Sequence, residues 1–265
     1  MNFSTEADLC LAFAETVPSA WTIYNETAGF DMVLVHASGV QIAIEAKLKL
    51  NPKVLAQVIE TKPHWNFTGP DFRAVLIGND GNHDLRTLAA ALGVTVMTVA
   101  RKNKHTSSYG SNSTKVAKFF SRPKFPKVEP FKQCSWGSFI NWFDQVPAQR
   151  VALPEYVPDV PAGVSGPAIL GPWKIQAIKV CVWVKRTGSI TRTDFKALGI
   201  DPGRWMTGHW LEKGKARGNW VAGPAFPLDQ FKTVHPMVVG KVIADFDKWS
   251  VENGLVALGD QAVQS

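Results

Sequence analysis

The stretch Asp31-Met-Val-Leu-Val-His-Ala-Ser-Gly-Val-Gln-Ile-Ala-Ile-Glu-Ala-Lys47 decides how this 265-residue chain is read. Two apolar, β-branched runs meet at Ala37-Ser38-Gly39. A three-residue hairpin loop with Gly39 in the left-handed position pairs His36 with Val40. In that register Val35 faces Gln41, Val33 faces Ala43 and Asp31 faces Glu45. Side chains alternate along a strand, so Asp31, Glu45 and Lys47 share one face. Met32, Leu34, Ile42 and Ile44 take the other, to be buried against a helix. A two-residue loop would slip the register by one and send Asp31 to the wrong face. Gly39 favours the three-residue loop.

Two carboxylates and an ammonium on one face suit metal-dependent phosphodiester hydrolysis. Hard oxygen ligands bind Mg²⁺, which neutralises phosphate charge and lowers the pKa of a bound water. The lysine can orient or deprotonate that water, or stabilise the charge of the transition state. Glu60-Thr-Lys62 and Asp194-Phe-Lys196 repeat the acid-x-lysine spacing, but both fall on predicted helices, where positions i and i+2 diverge. Only Glu45-Ala-Lys47 ends an apolar strand with an acid across the hairpin. The plainer alternative is an ion pair at a strand end.

Working outward, Ser4 or Thr5 with Asp8 marks a helix N-cap, and Leu9, Ala12, Phe13 and Val17 follow at helical spacing until Pro18. Trp21 to Tyr24 is a short β-rich run. Pro52 opens a helix through Glu60. Arg73 to Ile77 is read as a strand, Leu85 to Leu92 as a helix stopped by Gly93, and Val94 to Val99 as a strand. The order α-β-β-β-α-β-α-β predicts an α/β domain with a mixed sheet. Lys102 to Ser113 is expected to be a basic loop, and Trp136 to Phe143 a short aromatic helix.

Residues 1–100 resemble the PD-(D/E)XK nuclease superfamily, with Asp31 as the Asp and Glu45-Ala-Lys47 as the E-x-K. Glu6 matches the acid often found on the preceding helix, and Gln57 a glutamine seen on the helix after the motif. Phe30 stands where the superfamily usually has the proline. The resemblance implies a restriction-endonuclease-like core in which Asp31, Glu45 and Glu6 hold Mg²⁺, or Mn²⁺ in its place, and Lys47 and Gln57 complete the catalytic set. Glu6 serves equally as a carboxylate at the positive end of a helix dipole.

The charge is uneven. Residues 1–100 carry 6 Lys/Arg against 10 Asp/Glu, whereas 101–132 carry 9 against 1 and 172–220 carry 10 against 3. Basic blocks attract polyanions by releasing counterions from phosphates. A run with Pro154, Pro158, Pro161, Pro167 and Pro172 places a linker at 151–172, separating a domain of 1–150 from one of 173–265. Beyond it, Ile175 to Val184 is a helix ended by Gly188, and Thr191 to Leu198 a second ended by Gly199. Asp201 and Pro202 start a third, running to about Lys213. A basic turn, Gly214 to Gly218, follows, and a last helix spans about Met237 to Asn253. Three helices and a basic β-turn are the layout of a winged helix-turn-helix. The residues expected to meet DNA are Arg192, Arg204, Trp205, His209, Lys213, Lys215 and Arg217.

Several classes are excluded. Hydrophobic residues make up 45% of the chain and charged ones 19%, with mean hydropathy −0.04, so this is no disordered or fibrous chain. Cys10, Cys134 and Cys181 give neither a disulfide framework nor a CxxC zinc site, and the six histidines show no HxH or HExxH spacing. GxSxG and GxxxxGK[ST] are absent. The longest uncharged apolar run, Thr87 to Ala100, has 14 residues against the ~20 of a membrane span, and the start carries no basic signal region, so a cytoplasmic protein is expected. The expected activity is Mg²⁺-dependent endonucleolytic cleavage of double-stranded DNA, with a homodimer left open. The alternative is a non-catalytic DNA- or partner-binding protein on a nuclease fold.

Overall fold

Thr5 opens the first helix, its side chain accepting a hydrogen bond from the Asp8 N–H at 3.0 Å. The computed structural model describes residues 3–59, 68–78, 82–99, 101–102, 119–120, 125–126, 142–163 and 169–255. They fall into two compact units, one of residues 1–153 and 161–165, the other of 154–160 and 166–265.

The first unit runs α1 (Glu6–Ala14), β1 (Trp21–Thr27), β2 (Phe30–His36), β3 (Gln41–Lys47), α2 (Pro52–Ile59), β4 (Phe72–Ile77), α3 (His83–Ala91) and β5 (Thr95–Thr98). This is the element order expected. A two-stranded ladder of β6 (Arg101–Lys102) and β7 (Phe119–Phe120) follows. The sheet order is β1-β2-β3-β4-β5, antiparallel from β1 to β3 and parallel from β3 to β5. Such mixed pairing follows from the connections: tight turns join the antiparallel strands, and helices carry the crossovers between parallel ones. Met32, Leu34, Ile42 and Ile44 are buried with Leu9, Cys10 and Phe13 of α1. Val54 and Val58 of α2 are buried with Val75 and Ile77 on the opposite side.

The hairpin register is that of the three-residue loop, the one Gly39 favours. Val35 pairs with Gln41 and Val33 with Ala43; the His36 N–H donates to the Val40 carbonyl at 2.8 Å. Gly39 has φ +86°, a left-handed conformation that glycine adopts without a Cβ penalty. The β1–β2 turn is Ala28-Gly29, both at positive φ (55° and 83°), as a two-residue type I′ hairpin requires.

The second unit begins its regular structure with α4 (Pro172–Thr187), ended by Gly188 at φ +81°. Then come β8 (Ile190–Thr191), α5 (Arg192–Ala197), α6 (Gly203–Thr207), β9 (Leu211–Lys213) and β10 (Asn219–Ala222), with a sheet in the order β8-β10-β9. Three further helices, α7 (Leu228–Val234), α8 (Pro236–Ala244) and α9 (Phe246–Glu252), complete it. The third helix was expected to reach Lys213, but it stops at Thr207 and Leu211–Lys213 is a strand. A Cβ at Gly208 would lie 2.9 Å from the Arg204 carbonyl, and His209 turns into the left-handed region at φ 56°, so the chain leaves the helix there. The single last helix is two, broken at Asp245 and preceded by α7.

The run read as a linker is where the chain passes between units, and it is packed. Val151 exchanges two 3.0 Å hydrogen bonds with the Gln41 side chain in the first unit. In the second, Glu155 receives the buried Lys179 ammonium at 2.7 and 2.9 Å, and Asp159 accepts from the Met237 and Val238 N–H groups. Most of Lys102–Ser113 and of Trp136–Phe143 lies outside the described residues, as do Glu60 and Lys62. Phe143 is described and is not helical.

Candidate functional site

The β2–β3 ladder ends where the acids begin. Its last pair is Met32–Ile44, so the next N–H along β3, that of Ala46, has no strand partner on that side. The Asp31 carboxylate takes it, Oδ2 accepting at 2.7 Å. That bond fixes the Asp31 side chain beside Glu45, one residue before Ala46 on β3. The two carboxyls lie within hydrogen-bonding reach of each other.

Burial governs their chemistry. Glu45 is only 6% exposed, and its pKa rises from 4.5 to about 7, first through desolvation and then through the Asp31 charge. Asp31 is also raised by burial, although the Ala46 N–H and Lys47 oppose this. Burial thus pushes both carboxyls towards the protonated form, and the Asp31 charge adds to the rise at Glu45.

Lys47 closes the strand. Its ammonium donates to Glu6 Oε2 at 2.7 Å, which brings the start of α1 to the end of β3. Burial pulls the Lys47 pKa down, but the Glu6 hydrogen bond and the charges of Asp31, Glu6 and Glu45 outweigh it and leave it raised. Asp31, Glu45, Lys47 and Glu6 are thus brought together. No described contact joins Gln57 to them; it lies on α2, which packs on β3 and β4, and its Oε1 is buried without a hydrogen-bond partner.

Two residues of this neighbourhood escaped the sequence reading. Cys10 is buried on α1, one turn beyond Glu6, and its thiol is pushed up to about 12 by burial and by the charges of Asp31, Glu6 and Glu26. Glu26 occupies the β1 position across from Asp31, between the Asn25–Met32 and Thr27–Phe30 pairs. It is held at φ 49°, uncommon for a non-glycine residue, and its carboxylate accepts the Gly163 N–H. Both carried a signal: an i, i+4 spacing from Glu6 on a helix, and a two-residue Ala-Gly turn that sets the β1–β2 register.

Among the described residues, no three His, Cys, Asp or Glu side chains are arranged to hold a metal ion. Glu6, expected as a third ligand, instead receives Lys47. Mg²⁺ is commonly held by one or two carboxylates and completes its octahedron with water. Asp31 and Glu45 could supply such a pair: a half-buried and a buried carboxyl this close do not both ionise cheaply without a cation between them.

On the second unit, Arg192, Arg204, His209, Lys213, Lys215 and Arg217 are exposed. Lys215 and Arg217 stand on the β9–β10 turn, which the Gly214 N–H closes by donating to the Asn219 carbonyl at 2.8 Å. Trp205, expected to contact DNA, is fully buried. It packs against Phe195 and Trp210, with ring centroids 5.9 and 5.1 Å away, and is a core residue. No described helix is long and apolar enough to cross a membrane. No family model, curated protein or solved structure matches the chain.

Proposed function

We propose that this protein is a divalent-metal-dependent DNA endonuclease of the PD-(D/E)XK kind, with a winged helix-turn-helix as its second unit. The observation that carries the reading is the end of the β2–β3 hairpin, where Asp31 and Glu45 touch and Lys47 follows two residues later. The helix–strand–helix–helix–hairpin order of α4 to β10, with β8 paired to β10, supports the winged arrangement.

In this reading Asp31 and Glu45 hold Mg²⁺ or Mn²⁺, which would neutralise phosphate charge and acidify a water. Glu45 releases its proton on binding, so metal affinity climbs as pH rises towards and past 7. Lys47 stays an ammonium because Glu6 holds it so, which suits it to stabilise charge developing on the phosphate rather than to remove a proton. Glu6 is then a positioning residue for Lys47. The exposed basic side chains of the second unit would hold DNA phosphates.

Supercoiled plasmid incubated with the full chain and Mg²⁺ or Mn²⁺ should be nicked or linearised, and Glu45→Ala should abolish this. Plasmid left intact by the wild-type chain across substrates and metals overturns the proposal. A second reading, a non-catalytic DNA- or partner-binding protein, is favoured by the engagement of Glu6 with Lys47 and the lack of a three-ligand group among the described residues. In that case Asp31→Asn leaves DNA binding unchanged and Mn²⁺ does not raise the melting temperature of the wild-type chain.

A further inference from the structure

We propose that Trp173, Trp210 and Arg204 form a platform that stacks an unpaired base, so that the DNA favoured by this protein carries a single-stranded element beside its duplex. The inference rests on the DNA reading above and deepens it by naming the substrate class.

Trp173, the second residue of α4, is 40% exposed. A tryptophan left this open forgoes much of the burial that normally places it in a core. It is nevertheless held in place. The Arg204 guanidinium lies 5.4 Å from its ring and 5.6 Å from that of Trp210, and the two rings are 6.3 Å apart at 45°. Trp210 in turn stands edge-on against the buried Trp205, which packs on Phe195. A continuous run of tilted and edge-on ring contacts therefore leads from the core, through Trp205 and Trp210, to an exposed ring with a cation over it.

The backbone is shaped to make these ring contacts. The chain breaks out of α6 at Gly208 and takes His209 through φ 56°, and the next residue is Trp210, back over Trp205. Positive φ at a non-glycine residue is costly and persists only where the surroundings impose it.

The chemistry fits a nucleobase. Bases stack on aromatic faces irrespective of sequence, and an arginine beside the ring adds cation–π attraction and a phosphate contact. Reading duplex base edges needs a helix long enough to lie in the major groove and present several polar side chains. With five residues, α6 offers little length for that task. The exposed Lys213, Lys215 and Arg217 of the neighbouring hairpin supply charge for the adjoining backbone.

The test uses the full-length chain without divalent metal and a fluorescein-labelled DNA hairpin, either blunt or carrying a single-stranded 3′ tail, followed by fluorescence anisotropy. The wild-type chain should bind the tailed hairpin about tenfold more tightly than the blunt one. Trp173→Ala should bind both with the blunt affinity, Trp173→Phe should keep most of the preference, and Arg204→Ala should lose part of it. Equal binding of both hairpins by the wild-type chain, or an undiminished preference in Trp173→Ala, overturns the platform. A purely structural Trp173 would lower the melting temperature of the alanine variant and leave the tailed-to-blunt ratio unchanged, which also overturns it. If the blunt hairpin still binds, the platform alone falls; if neither hairpin binds, the DNA reading falls with it.

Discussion

Glu45-Ala-Lys47 and Asp194-Phe-Lys196 have the same spacing and almost the same chemistry, yet they do unlike things. On β3 the first and third residues share a face, so acid and lysine converge with Asp31 into one electrostatic cluster. On α5 the same interval turns the side chains apart. Asp194 becomes half of a capping box, accepting from the Thr191 N–H and hydroxyl at 2.8 and 2.9 Å; Phe195 goes into the core and Lys196 into solvent. Backbone period, and not residue type, separates a candidate site from a helix cap.

That contrast can be broken at the lysines first. Lys47→Ala should lower plasmid cleavage about a hundred- to a thousandfold, whereas Lys196→Ala should leave the rate within about twofold, since Lys196 is an exposed last-turn charge. Comparable losses in the two variants would mean that the β3 arrangement is not special.

The acids give the next largest effect. Folding raises the Glu45 pKa from 4.5 to about 7, so the folded chain holds this proton more tightly than the unfolded one. Its stabilising contribution is full below about 4.5, declines as pH rises through about 7, and is flat beyond that. The rise amounts to about 3 kcal/mol. In metal-free buffer, Glu45→Gln should therefore be more stable than wild type by about 3 kcal/mol at alkaline pH and equal to it in acid. Urea titrations across pH measure this, and adding Mn²⁺ should restore stability at alkaline pH to the wild-type chain alone. A stability difference with no pH slope would deny Glu45 its buried place beside Asp31.

Asp194 supplies the smallest effect and the control. Asp194→Ala removes the capping box and should cost about 1 kcal/mol by urea denaturation. It should leave plasmid cleavage and the affinity for Mn²⁺ as they were.

Much of the first unit was legible because local signals agreed. Gly39 favoured the three-residue loop over a two-residue one, that loop sets the register, and the register aligns Asp31 with Glu45. Glu6 was readable through its place just after a Thr cap, but its bond to Lys47 was not: that depends on how α1 lies across the sheet. In the second unit, Val238, Val239, Val242, Phe246 and Trp249 keep helical spacing across Asp245, so nothing in the pattern reports the break there. The early end of α6 had one local signal, Gly208 at its C-cap, while the left-handed turn at His209 that returns Trp210 onto Trp205 had none. Trp205 is expected at DNA because it shares the third helix with Arg204, Thr207 and His209. Its burial shows that aromatic content alone does not separate core from surface.

The crossing of the chain between units has a genetic corollary. Residues 161–163 return from the second unit to the first, where Ala162 is buried with Phe13 and Trp21, and the Gly163 N–H satisfies Glu26. A gene fragment stopping at codon 153 would omit that returning piece. Shuffling either half onto another framework thus demands several junctions rather than one, and descendants that trade their second half should retain, or reinvent, a short plug at this place.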